Sequence, residues 1–477
     1  MKTPEFDLCV IGGGAGGLVV AAGGASLGAK VALIEKNALG GDCLHYGCVP
    51  SKTLLNSAKV ANTMRDSQRF GITPHHPEIS LPDIMQRVSQ VIKTIEVHDS
   101  PDRFRAMGID VIFGAGQFTS PSTFEVNGRT ITARHFVIAT GSRPAIPSID
   151  GINNTPYLTN ETIFSSDEPV PHLLVLGTGP IGLEMAQAFS RLGSDVTVVQ
   201  RGTRILPKED HDLADVVKER LKNENIRFYQ NNNIERIEGS TENIRLTFTS
   251  KENNQVQTIK ATHLLVATGR KSNVDNLGLD AAGIEVEHGH IVTDDRLRTS
   301  NRRIFACGDI TGSHQFTHMA EHHAGIVLRN TLFRLPAKIE KRVIPWCTFT
   351  DPELARVGLS EEEARQQKID YRCYKFPFED IDRAQTDGDT TGFGKIITNK
   401  KGRLLGAALV GSHAGELIHE YTLALAMKMK ASDLSGVIHI YPTLAQINHR
   451  ISDERMKKNL TPLTRKWIKR IFRLRGN

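Results

Sequence analysis

Runs of consecutive apolar residues, each closed by glycines and followed by helical spacing, organise the first two thirds of the chain. Residues 8–11 read as a buried strand, 12–17 as a tight turn, 18–27 as a helix and 31–34 as a second buried strand. An unbroken apolar run bounded by turn residues suits a strand covered on both faces. The same order returns at 173–176, 177–182, 183–192 and 196–199. Each copy also has a later strand ending alike, Phe136-Val137-Ile138-Ala139-Thr140-Gly141 in one and Leu264-Leu265-Val266-Ala267-Thr268-Gly269 in the other. A repeated strand, helix, strand unit predicts an α/β protein with two Rossmann-like nucleotide-binding folds, as an ancestral duplication would leave. After Pro345 the glycine turns stop, and β-branched strands with a helical stretch at 416–430 predict a third domain of mixed α and β elements.

A length of 477 residues, 39% of them apolar, suits a globular protein of two or three domains. The formal charge of +6 is local: from Arg455 onward there are nine Lys and Arg and no acid, so the rest of the chain is net acidic. Nucleic acid is therefore not expected as a partner. Six scattered cysteines without a secretory leader argue against a disulfide-stapled secreted domain, and make a close pair a candidate for metal or redox chemistry. No charge falls between Asp7 and Lys30, a stretch long enough for a membrane helix, but its eight glycines argue against one. The polar residues 1–7 are unlike a targeting peptide, and a cytoplasmic location is expected.

The two glycine turns are Gly12-x-Gly14-x-x-Gly17 and Gly177-x-Gly179-x-x-Gly182. Between a strand and a helix, such turns let backbone N–H groups meet a pyrophosphate at a helix N-terminus. Glu35 closes the second strand of the first copy, where a carboxylate meets a ribose diol. In the second copy the strand runs into Val199-Gln200-Arg201 and the acid is missing. Arg201 and Arg204 are then candidates to pair with a 2′-phosphate, which favours NADPH over NADH, with NADH possible; solvated loop arginines are the plainer alternative. Cys43 and Cys48 lie just after the first fold's second strand. Pro50 suits a first helical turn, which puts Cys48 near the positive end of a helix and favours its thiolate. A zinc site would want further ligands at short spacing, and a structural disulfide is unusual in a cytoplasmic chain.

With Gly40-Gly41-Asp42-Cys43-Leu44-His45-Tyr46-Gly47-Cys48-Val49-Pro50-Ser51-Lys52, both fingerprints, Ala306-Cys307-Gly308-Asp309 and Phe349-Thr350-Asp351-Pro352-Glu353, residues 6–450 resemble the flavin disulfide reductases that include dihydrolipoamide dehydrogenase, glutathione reductase and mercuric reductase. The resemblance implies FAD, a homodimer and an α+β dimerisation domain that completes the partner's active site. It implies an FAD-binding domain at 1–150 and 276–344, an NAD(P)-binding domain at 151–275 and the dimerisation domain at 345–455. It also makes Cys43 the interchange thiol, Cys48 the charge-transfer thiol, Lys52 a cation near the flavin with Glu184 as its partner, and Asp309 a ribityl ligand. Gly116, Thr140, Gly141, Ser142 and Thr317 match flavin-site positions, and Gly269 the corresponding turn of the second fold; as plain turns the glycines would need no ligand.

One segment departs from the family. Relatives that reduce organic disulfides carry His directly before Pro and a Glu soon after; here the text is His439-Ile440-Tyr441-Pro442-Thr443-Leu444-Ala445-Gln446. A phenol with pKa near ~10 is a poor base at neutral pH. His439, two residues earlier, would face the same side as Tyr441 on an extended segment and could replace the base only if the backbone shifts. Tyrosine here is similar to mercuric reductase, whose soft metal acceptor needs no thiol proton shuttle. Yet no cysteine follows Cys373 and no metal-binding domain precedes Phe6, so that family's second thiol pair is missing, and no resident metal site is expected. Cys347 is a candidate for an extra thiol near the site, with an inert buried strand cysteine as the favoured reading. The expected function is electron transfer from NADPH through FAD and the Cys43/Cys48 disulfide to a small-molecule or metal-ion acceptor. Dihydrolipoamide dehydrogenase, a membrane-associated redox sensor and a quinone reductase are the alternatives.

Residues 456–477 form a basic tail. Thr461-Pro462 reads as a cap and first-turn proline, and Leu463, Trp467, Ile468, Ile471, Phe472 and Leu474 recur at helical spacing among cations. Such a helix suits peripheral contact with an anionic membrane or packing on the dimer.

Overall fold

The computed structural model describes residues 3–166, 168–333 and 335–476. Strand Phe6–Ile11 lies between Val31–Glu35 and Arg129–Ile138, all parallel, with Asp110–Phe113 beyond on one side. Strand Ile304–Ala306 joins the same sheet beside Arg129–Ile138, so the chain returns to its first sheet after building a second. That second sheet is parallel and four-stranded, in the order Arg227–Tyr229, Asp195–Val199, His172–Leu176, His263–Val266. A three-stranded antiparallel meander covers 232–261. The last sheet is antiparallel with five strands, ordered Pro345–Thr348, Glu353–Gly358, Leu404–Gly411, Phe393–Thr398, Arg372–Pro377, and helices Ala414–Ala426 and Gln446–Asn459 pack with it.

The central strands of both parallel sheets are buried, which is why they read as continuous apolar text. The helices start earlier than their hydrophobic spacing suggests: Ala15–Ser26 and Pro180–Arg191 begin inside the glycine turns, so Gly17 and Gly182 are helical. The reason is close packing. A methyl at Gly17 would overlap the carbonyl oxygen of Gly12, and one at Gly182 that of Gly177. Gly12 and Gly177 themselves have φ of +108° and +111°, open to glycine at little cost. Helix Ala15–Ser26 packs on Thr317–Thr331, with Gly16 against Cys307 and Ala320. The helix expected at 416–430 spans Ala414–Ala426. Among the described residues no helix is long and apolar enough to cross a membrane, the 7–30 stretch included.

Buried ion pairs join the second parallel sheet's region to the antiparallel one. The ammonium of Lys395, 1% exposed, meets Asp210 at 2.7 Å, Asp212 at 2.8 Å and Glu361 at 3.1 Å. Arg356 lies against Glu209 at 3.2 Å and Glu363 at 2.7 Å, with its guanidinium 4.3 Å from the Trp346 ring centre.

Candidate active site

The two cysteines come from adjoining helices, Cys43 from Gly41–His45 and Cys48 from the first residue of Cys48–Arg65. Pro50 sits in the first turn of the latter, and no side chain caps it. The thiols hydrogen-bond to each other, and the Thr317 hydroxyl lies 3.6 Å from the Cys48 sulfur. These contacts divide the pair. Donation from Cys43, then Thr317 and the Lys52 charge, hold the Cys48 thiol down at about 6 against burial and Glu184. Cys43 is pushed far up, chiefly because its proton is held against the Cys48 sulfur, then by burial. These contacts favour a reduced pair with the thiolate at Cys48 and the proton at Cys43.

Lys52 stands one helical turn after Cys48. Its ammonium meets the Glu184 carboxylate at 2.8 Å and lies 4.5 Å from the Phe349 ring centre, while Glu184 also accepts from the Phe349 N–H at 2.9 Å. Glu184 is 3% exposed, and its pairing with Lys52 agrees with the expected one. Burial alone would lower the Lys52 pKa; Glu184 overrides it, and the net shift is upward.

A second polar group surrounds Asp309. Ser142 donates to it at 2.5 Å, and Arg270 binds the Ser142 hydroxyl at 2.7 Å and Asp42 at 3.1 Å. Burial raises the Asp309 pKa, opposed by Ser142 and Arg270. Thr140 and Gly141 are tied to Asn273, which donates to the Thr140 carbonyl at 2.8 Å and to the Gly141 carbonyl at 3.0 Å. Periodicity and motif do not mark Arg270, yet Thr268-Gly269-Arg270 parallels Thr140-Gly141-Ser142 and is the sequence signal for it.

Glu35 accepts from the N–H groups of Gly13 at 2.7 Å and Asn37 at 2.8 Å, which binds the strand end to the glycine turn. Gln200 holds the equivalent place: it accepts from the Thr178 hydroxyl and donates to the Arg204 carbonyl at 2.5 Å. Arg204 is not free as expected, since its guanidinium meets Glu362 at 2.7 Å and the Pro207 carbonyl at 2.8 Å. Arg201 is exposed. Gly116 lies on strand Gly116–Ser120, where a methyl would strike the Phe124 ring, so packing accounts for it.

His439 and Tyr441 do not share a face. Residues 438–442 form a loop rather than a strand, so alternation does not apply. The Tyr441 side chain is exposed and donates to Asp382 at 2.9 Å, which pushes its pKa further up. The His439 ring turns inward, 3.0 Å from Glu420, which also accepts from Asn448 at 2.8 Å. Among the described residues neither ring hydrogen-bonds to Cys43 or Cys48 in the same chain. Cys347, in strand Pro345–Thr348, has its thiol raised well above the usual range by burial, as the inert reading requires.

The geometry fits a dinucleotide. Gly14, Gly47, Gly179 and Phe316 are helix N-caps without a side-chain bond, leaving helix N–H groups open to an anion. A methyl at Gly179 would meet nothing within 4 Å, so the backbone there is open to close approach.

Residues 6–324 match the family model described as pyridine nucleotide-disulphide oxidoreductase, and residues 344–450 match its dimerisation domain. A mercuric reductase of Lysinibacillus sphaericus is 34% identical, covering 93% of this chain and 81% of that protein. A dihydrolipoyl dehydrogenase of Chlamydia trachomatis is 36% identical over 93% of this chain and 95% of its own. Among solved structures, the Cu(II) complex of an HOCl-induced flavoprotein disulfide reductase from Escherichia coli superimposes with a TM-score of 0.84, at 29% identity, over 94% of this chain and 99% of that one.

Proposed function

The chain belongs to the pyridine nucleotide-disulphide oxidoreductase family, and on that premise we propose that it passes electrons from NADPH, through FAD and the Cys43/Cys48 pair, to a thiophilic metal ion. FAD is the flavin of this family, and the dimerisation domain supports a homodimer. Ile438 and Ile440, 97% and 80% exposed, give that partner an apolar surface to cover. The domain division that goes with this reading is an FAD-binding domain at 1–150 and 276–344, a nicotinamide dinucleotide domain at 151–275 and a dimerisation domain at 345–455.

FAD held there would supply two-electron redox chemistry between the nicotinamide and the Cys43/Cys48 disulfide. Gly12, Gly14 and Gly17 open the backbone to its pyrophosphate, Glu35 and Asp309 offer carboxylates to its hydroxyls, and Gly177, Gly179 and Gly182 do the same for the nicotinamide dinucleotide. Arg201 is the cation left open to a 2′-phosphate. Lys52, kept charged by Glu184, stabilises anionic charge beside Cys48. Cys43 carries the transferable proton and, as the interchange thiol that the family resemblance implies, receives the acceptor.

The single observation that carries the metal reading is the exposed phenol at Tyr441, held by Asp382, where disulfide-reducing relatives need a base. A dithiol that binds a soft cation sheds its proton to solvent and needs no imidazole to protonate a leaving thiolate. The 36% identity to a dihydrolipoyl dehydrogenase keeps lipoamide as the second reading. Anaerobic reduction tests the redox role of the pair: the protein should take up one electron pair beyond that of its flavin, and Cys48→Ser should not. Equal uptake by both would overturn it.

A further inference from the structure

The redox chemistry leaves the basic segment unused. Helix Gln446–Asn459 is anchored through Ile447 and Ile451, but the next helix, Pro462–Phe472, buries no residue. It is nonetheless well formed at its start: the Thr461 hydroxyl accepts from the Thr464 N–H at 3.2 Å and Pro462 fills the first turn. At ~100° per residue, Leu463, Trp467, Ile471, Ile468 and Phe472 fall in one arc of roughly 180°, and Arg465, Lys466, Lys469 and Arg470 fill the other. Leu463, Trp467, Ile471 and Phe472 are 57–69% exposed. Lys457 pairs with Glu454 and Lys458 lies over Tyr374, whereas the cations from 465 to 475 have no ion-pair partner among the described residues.

We propose that this helix docks the enzyme on an anionic lipid bilayer, lying in the interface with its Trp467 arc in the acyl boundary and its cations among the headgroups. The inference does not depend on which acceptor the active site reduces. Charge complementarity selects the occupant. A second copy of the helix would bring like charges together along both rims, since the segment holds no acid. A nucleic acid would use the cations and leave the apolar arc in water. A bilayer with anionic headgroups satisfies both faces.

Co-sedimentation of the flavin-loaded, full-length protein with mixed phosphatidylglycerol and phosphatidylcholine vesicles tests this. Partitioning should be high at low salt, and weaker in 1 M salt, where the screening length falls to ~3 Å. It should be weak on phosphatidylcholine alone. Lys466→Glu, Lys469→Glu and Arg470→Glu together should lower it by about 100-fold or more, and Trp467→Ala with Ile471→Ala by about 10- to 100-fold. NADPH oxidation in solution should not change. Equal binding by the parent and the apolar variant would overturn the proposal and mark a polyanion site. A smaller oligomer for the apolar variant in sedimentation velocity would overturn it in favour of a second copy, and so would equal binding to neutral vesicles in favour of unspecific adhesion.

Discussion

Replacing Cys43 by alanine removes the donor that contributes most to the acidity of Cys48, and the size of the effect follows from the contact. The Cys48 thiol is held at about 6 against an ordinary 9.0, with the Cys43 hydrogen bond as the first cause. A hydrogen bond to an anion is worth roughly 1.5–3 kcal/mol, and one pH unit corresponds to about 1.4 kcal/mol. Cys43→Ala should therefore raise the Cys48 midpoint by ~1–2 units, to ~7–8, while Cys43→Ser, which keeps a hydroxyl donor, should raise it by less than ~1 unit. The assay is thiolate absorbance of the anaerobically reduced protein against pH, with Cys48→Ser as reference. Burial keeps the other thiols silent in that range: Cys307 and Cys373 are pushed up to about 12, and Cys9 and Cys347 upward as well. A midpoint that stays near 6 in Cys43→Ala would refute the reasoning. A parent protein with no transition below pH 8 would refute it at its base.

The same depression bears on stability: because Cys48 is more acidic folded than unfolded, its contribution is full above pH 9 and lost as pH falls through about 6. Urea midpoints of the reduced protein should fall over that window more than those of Cys48→Ser. Lys395→Met removes the buried ammonium that Asp210, Asp212 and Glu361 share, leaving Asp212 with Lys375, Glu361 with Arg365 and Asp210 with two backbone N–H donors, and should cost about 3 kcal/mol in urea unfolding; a loss under ~1 kcal/mol would show that those carboxylates rearrange freely. Glu362→Gln releases Arg204 toward the nicotinamide dinucleotide's ribose and should raise the ratio of NADPH to NADH kcat/KM by roughly 5-fold or more, in keeping with ~1 kcal/mol for a freed charge near a phosphate. An unchanged ratio would remove Arg204 from nucleotide selection.

What the sequence makes legible is local. Strand cores read correctly because burial on both faces leaves unbroken apolar text, and the duplicated glycine turns read correctly because a strand precedes and a helix follows each. Cys48 and Lys52 are four residues apart, so their common helix face is visible in advance. Gly17 and Gly182 read as turn residues because spacing does not show that the helix begins where backbone meets backbone. Strand alternation would put Tyr441 and His439 on one face, and a loop does not obey it. The Arg204 to Glu362 and Lys395 to Asp212 pairs join residues 158 and 183 positions apart, and no periodicity reports such contacts. Arg270 is the intermediate case, since it follows one copy of a Thr-Gly pair whose other copy leads into Ser142.

Anaerobic NADPH oxidation with a mercuric thiol complex as acceptor, run beside oxidised lipoamide and repeated with Cys43→Ser, tests the central claim most directly. The account predicts turnover with the metal that is lost in Cys43→Ser, and no turnover with lipoamide. Lipoamide turnover at the metal's rate, or metal turnover that survives Cys43→Ser, would contradict it.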